Sequence, residues 1–102
     1  MKYKKLPKRL KDKWVKALLS GKYKQRKGVL VLNGEYCCLG VLGVACGISV
    51  AEMSDRNNLS DVNRDDIIGD DSDHSLQNKL IHMNDGQNRS FKWIAAYVKR
   101  YL

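Results

Sequence analysis

The run Ser20-Gly21-Lys22-Tyr23-Lys24-Gln25-Arg26-Lys27-Gly28 holds three elements that nucleotide recognition requires. Lys22, Lys24, Arg26 and Lys27 can pair with phosphate oxygens, and Tyr23 offers a flat face on which a base can stack. Gln25 carries both a donor and an acceptor for a base edge. Trp14 could add a second stacking face, or could equally belong to the core, because it lies on the apolar side of a helical repeat. If residues 22–27 are extended, Lys22, Lys24 and Arg26 fall on one side and Tyr23, Gln25 and Lys27 on the other. Only one of these sets can face a given pocket.

Other chemistries lack their residues. No phosphate-binding loop ending in Gly-Lys-Ser/Thr, no Gly-x-Ser-x-Gly and no His-Glu-x-x-His occurs in the chain. His74 and His82 have no cysteine at zinc-ligand spacing, and no metal site is expected. Asp61-Val-Asn63-Arg-Asp65 begins like a calcium loop, but Asp66 and Ser72 stand where that loop needs glycine and glutamate. Cys37 and Cys38 adjoin an apolar run, where small cysteines pack inertly, rather than the electropositive setting a nucleophilic thiolate needs. With no acid, base and nucleophile set, the sequence predicts neither an enzyme nor a cofactor.

The elements that must position the basic run are legible around it. Behind Pro7, the residues Leu10, Trp14, Ala17 and Leu18 recur on one helical face, and Gly21 is a natural stop. Lys8, Arg9, Lys11, Lys13 and Lys16 cover the opposite face. Residues 22–27 read as a loop or an irregular strand start. Asn33-Gly34 between two apolar runs predicts a β-hairpin over 28–38 with a tight type I′ turn. Leu39 to Cys46 fits a short buried helix whose glycines let it approach the hairpin closely.

Residues 48–72 are polar and acidic, and read as a long loop, either a lid over a site or an insertion. A short helix follows through Leu76, Leu80, Ile81 and Met83 and ends near Asn84-Asp85-Gly86. Ser90 then caps a last helix with Phe91, Ile94, Ala95, Val98 and Leu102 on its apolar face. The fold class expected is α+β, a single domain over 1–102 in which three to four helices pack a small hairpin-based antiparallel sheet.

The chain has 102 residues and a net charge of +8, distributed unevenly. Residues 1–28 carry twelve Lys or Arg against Asp12 alone, and residues 51–73 carry eight acids against Arg56 and Arg64. A basic third of this kind is suited to an anionic partner. Three cysteines, two of them adjacent, make a poor disulfide framework and favour a reducing compartment. No leader and no membrane-spanning run is expected. A core this small would gain from a second copy, so a homodimer or larger homo-oligomer is anticipated.

One pattern runs through most of the chain outside the acidic middle. Trp14-x-x-Ala17-Leu18-x-Ser20-Gly21-Lys22-Tyr23-x-Gln25-x-Lys27-Gly28-x-Leu30, Tyr36-Cys37-Cys38-Leu39-Gly40-Val41-Leu42, Met83-Asn84-Asp85 and Ser90-Phe91-x-x-Ile94-Ala95 follow in order. This pattern resembles a widespread family of small bacteriophage proteins, similar to the phage sponges that evade CBASS defence by sequestering cyclic nucleotides without cleaving them. The chain departs from the family's pattern at Gly43, where members often have cysteine, and at Met83, where they have leucine. The resemblance implies a non-enzymatic immune-evasion protein in the host bacterial cytoplasm, with a pocket for a cyclic oligonucleotide or related signalling nucleotide shared between copies. Lys22, Lys24, Arg26 and Lys27 would then neutralise phosphates, while Tyr23 and either Trp14 or Tyr36 would stack on bases. Gln25 would read an edge, with Asn84 and Asp85 adding base or ribose contacts. A nucleic-acid-binding module using the same basic surface is the competing expectation.

Overall fold

A computed structural model describes residues 6–68 and 76–102. His74 and residues 69–72 of the acidic segment lie outside this range. Helix α1 (Lys8–Leu19) starts directly after Pro7, whose carbonyl accepts the Lys11 N–H at 2.9 Å. Its apolar face buries Trp14 and Leu18 and packs on α2 (Cys38–Ala45) and α6 (Phe91–Tyr101). The cations Lys8, Arg9, Lys13 and Lys16 remain exposed on the opposite face.

The hairpin forms as its turn residues require. Strands β2 (Val31–Leu32) and β3 (Glu35–Tyr36) pair antiparallel around Asn33 and Gly34, whose φ angles of 52° and 76° are those a type I′ turn demands. A third strand, β1 (Lys24–Gln25), pairs parallel with β3, so the order is β1-β3-β2 and the sheet is mixed. Part of the run expected as loop or irregular strand start is thus a strand. The free edge of β2 is covered by residues 54–56: Asp55 N–H donates to the Val31 carbonyl, and Leu30 N–H to the Arg56 carbonyl.

Helix α2 is buried almost throughout, and Gly40 is what lets it sit there. A Cβ at Gly40 would fall on the Leu30 carbonyl. The Trp14 indole N–H closes the same corner by donating to the Cys38 carbonyl at 3.0 Å. Residues 48–68 are not a bare loop. They form α3 (Val50–Met53), a 3₁₀ turn (Leu59–Val62) and α4 (Asp65–Ile68), sunk into the core through Ile48, Met53, Leu59, Ile67 and Ile68. The buried Gln77 of α5 (Leu76–Ile81) fastens this segment, accepting the Leu59 N–H at 2.8 Å and donating to Ser60 Oγ at 3.1 Å.

From α5 the chain passes into a π turn (His82–Gly86) and then into α6, whose N-cap Ser90 accepts the Trp93 N–H. The architecture is α+β in one domain, with six helices and a three-stranded sheet among the described residues. No helix there is long and apolar enough to cross a membrane.

Gly40→Ala should be among the most damaging small substitutions, since the added methyl meets backbone rather than a movable side chain. Overpacking costs about 1–3 kcal/mol, and in a domain of this size each kcal/mol lowers Tm by about 4–8 °C. A thermal melt of the variant that overlays the parent would show that α2 and the hairpin are not in close contact.

Candidate functional site

The site is organised by one side chain. Gln25, the last residue of β1, sends its carboxamide across to the turn before α6. Its Nε2 donates to Asn84 Oδ1 and to the Arg89 carbonyl, both at 2.7 Å, and its Oε1 accepts the Phe91 N–H at 3.1 Å. Phe91 opens α6, so that N–H has no partner within the helix and Gln25 acts as an additional cap. The network also sets the orientation of the amide, because the flipped rotamer would point its oxygen at two acceptors.

Asn84 continues the junction from the other side. It is 1% exposed, and its Nδ2 donates to the Arg26 carbonyl at 2.7 Å and to Asp85 Oδ1 at 2.8 Å. Asp85 Oδ2 in turn accepts the Gly28 N–H at 3.0 Å. Five hydrogen bonds therefore dock residues 25–28 onto residues 84–91, and all of them converge on Gln25, Asn84 and Asp85.

Between the docked stretches lies an open depression of about 220 Å³, lined by Gln25, Arg26, Lys27, Asn84, Asn88 and Arg89. Three of the six are cations and none is acidic. Lys27 is exposed. Arg26 is more constrained, its side chain donating to the Lys27 and Leu32 carbonyls and lying 3.6 Å from Glu35. Glu35 also takes Lys24 at 3.3 Å, an exposed pair directly across β1 and β3 that contributes little to stability.

Of the residues singled out from sequence, Gln25, Arg26, Lys27 and Asn84 come together at the depression, and Asp85 supports it from behind. Trp14 must be corrected: it is fully buried and offers no face to a ligand. Gln25 and Asn84 also change role, because every amide hydrogen of both is engaged within the protein. What they offer a ligand is an anchored frame rather than a donor to a base edge. Tyr23 and Tyr36 pack edge to face on each other, ring centroids 5.0 Å apart at 81°, half-buried and outside the lining of the depression. Lys22 and Lys24 are exposed and likewise outside it. No described residue of the acidic segment lines the depression.

Sequence reasoning missed Arg89. It lies over the Trp93 ring, 4.4 Å from the centroid. The signal was present as an arginine four residues ahead of a tryptophan across a capped helix start.

The cysteines are packing residues. Burial pushes the Cys37 thiol up to about 11 and raises that of Cys38 well above the ordinary range. Cys37 Sγ accepts the Gly40 N–H at 3.4 Å as the cap of α2. Among the described residues, no three His, Cys, Asp or Glu gather where they could hold a metal ion.

Comparison with known proteins matches residues 6–72 to the family model described as a domain of unknown function, DUF8296. No curated protein and no solved structure matches the chain.

Two outcomes follow from this geometry. Gln25→Ala leaves Asn84 short of a donor and the Phe91 N–H unpaired, at about 1–3 kcal/mol per buried unsatisfied group. Gln25→Glu sets a carboxylate oxygen against two acceptors and should cost at least as much. Urea denaturation measures both, and wild-type midpoints would contradict the junction. The second outcome concerns the thiols. The raised folded-state pKa of Cys37 favours its neutral form, so its contribution is intact below pH 9.0 and is lost as pH rises through about 11. Iodoacetamide at pH 8 should modify the part-exposed Cys46 well before Cys37 or Cys38, a sequence that peptide mapping reads directly.

Proposed function

The chain belongs to the DUF8296 family, and we propose that it is a non-catalytic binder that sequesters a phosphate-bearing signalling nucleotide. The observation that carries this reading is the convergence of Arg26, Lys27 and Arg89, from stretches about sixty residues apart, on one depression with no acidic lining residue. Charge-assisted hydrogen bonds to phosphate are among the stronger polar contacts available to such a site. A binder that only sequesters needs affinity and no reacting groups.

The role in immune evasion rests on the resemblance to phage cyclic nucleotide sponges and would be exercised in the cytoplasm of the host bacterium. The size of the depression bears on how such a ligand would be held. At about 220 Å³ it falls below the range of about 300–1,000 Å³ usual for enclosed ligand sites. It suits one nucleotide unit of a cyclic oligonucleotide, and a second copy of the chain would cover the rest.

A second reading is favoured by the exposed cations Lys8, Arg9, Lys13 and Lys16 of α1, a face that a nucleic acid backbone could follow. Salt separates the two. Binding across many phosphates loses affinity steeply with salt through counterion release, whereas one small ligand engages few phosphates and loses less.

The test is to incubate the purified protein with a panel of cyclic di- and trinucleotides, remove free ligand, denature, and identify what is released. The proposal predicts intact nucleotide in stoichiometric amount and at least a tenfold weaker affinity for Lys27→Glu, which reverses an exposed charge without touching the core. Recovery of cleaved product, or retention of no member of the panel, counts against it.

A further inference from the structure

Helix α6 carries a row of rings beside its buried side, exposed at Trp93 and Tyr101 and half-buried against the core at Tyr97. Its buried side consists of Phe91, Ile94, Ala95, Val98 and Leu102. Trp93, Tyr97 and Tyr101 instead follow one another at four-residue spacing, the spacing that aligns side chains along a helix face. Trp93 and Tyr97 are nearly parallel, centroids 6.0 Å apart at 14°, and Tyr97 and Tyr101 are 4.9 Å apart at 41°. Trp93 is 39% exposed and Tyr101 61%. Arg89 extends the row by a further four residues and lies over the face of Trp93.

Arg89 is therefore restrained at several points. Its N–H donates to the Met83 carbonyl and its own carbonyl accepts from Gln25. Its Nε donates to Gln87 Oε1 at 3.3 Å, and its guanidinium rests against Trp93. The residue is nonetheless exposed and borders the depression. A flat cation supported on one face by a ring, at the edge of a cationic depression, is the arrangement on which a nucleic acid base stacks.

We infer that Arg89, held over Trp93, is the base-stacking platform of the site, with Arg26 and Lys27 taking the phosphate. The inference rests on the nucleotide-binding reading above and assigns it a subsite. Trp93 acts as a positioning residue, because it orients the guanidinium rather than meeting the ligand. The base becomes the outermost member of the stack Arg89, Trp93, Tyr97 and Tyr101. Recognition of this kind is tolerant of base identity, since every base has a π face.

Titration calorimetry with adenosine 5′-monophosphate and ribose 5-phosphate tests this, because the two differ by the base. The full-length protein should bind the nucleotide about tenfold more tightly, as stacking of one base allows. Trp93→Ala and Arg89→Lys should each reduce that ratio to about twofold or less, with ribose 5-phosphate affinity changed little. Trp93→Phe, which keeps a ring under the guanidinium, should restore most of it. Thermal melts of the variants show that each is folded. Equal affinity of the parent for the two compounds overturns the base subsite and leaves the phosphate reading standing. A ratio that survives in Trp93→Ala and Arg89→Lys overturns the platform. Failure of the parent to bind either compound sinks both the subsite and the reading beneath it.

Discussion

Everything at the candidate site depends on one carboxamide. Gln25 ends a two-residue strand, an element too short to hold its place by sheet pairing alone, and is fixed from the far side by residues 84–91. A neutral hydrogen bond contributes only about 1 kcal/mol net, but a buried partner left unpaired costs about 1–3 kcal/mol. The bonds of the junction share the side chains of Gln25, Asn84 and Asp85, so losing Gln25 removes a partner from the buried Asn84 and from the Phe91 N–H together.

The charge of the molecule acts at two ranges. Exposed cations on α1 form a diffuse positive field that falls off over about 8–10 Å at ordinary ionic strength. Such a field raises the encounter rate with anions but selects little among them. Selection needs groups held in place, and the restrained cations are Arg26 and Arg89, with the exposed Lys27 beside them. Glu35 tempers the neighbourhood by drawing Lys24 and Arg26 toward the sheet, so the net positive charge of the basic third overstates what reaches the depression.

The elements with strong local chemistry could be read directly from sequence. Pro7 and Gly21 bound α1, Asn33-Gly34 dictates the hairpin turn, Ser90 caps α6, and the apolar faces of α1 and α6 emerge as their periodicity requires. The close approach of α2 to the hairpin was legible because only glycine could permit it. Residues 48–68 were not legible, because their helical turns are one turn long and are held by tertiary contacts such as Gln77 to Leu59 rather than by periodicity. At the site, the right stretches were visible but several roles were not. Gln25 and Asn84 look like ligand-reading amides until their partners are known, and Trp14 satisfies the pattern of a core residue and of a stacking residue equally well. A polar residue's partner at a separation of fifty-nine positions leaves no trace in local spacing.

The central claim is that the specific anion site lies where residues 25–28 meet residues 84–89, and not on the basic face of α1. Amide chemical shifts followed by ¹⁵N–¹H NMR during titration with a cyclic dinucleotide test it most directly. The account predicts saturable shifts concentrated at Arg26, Lys27, Gly28, Asn88 and Arg89, with α1 little affected. Shifts confined to Lys8 through Lys16, with the Gln25 junction unmoved, would contradict it.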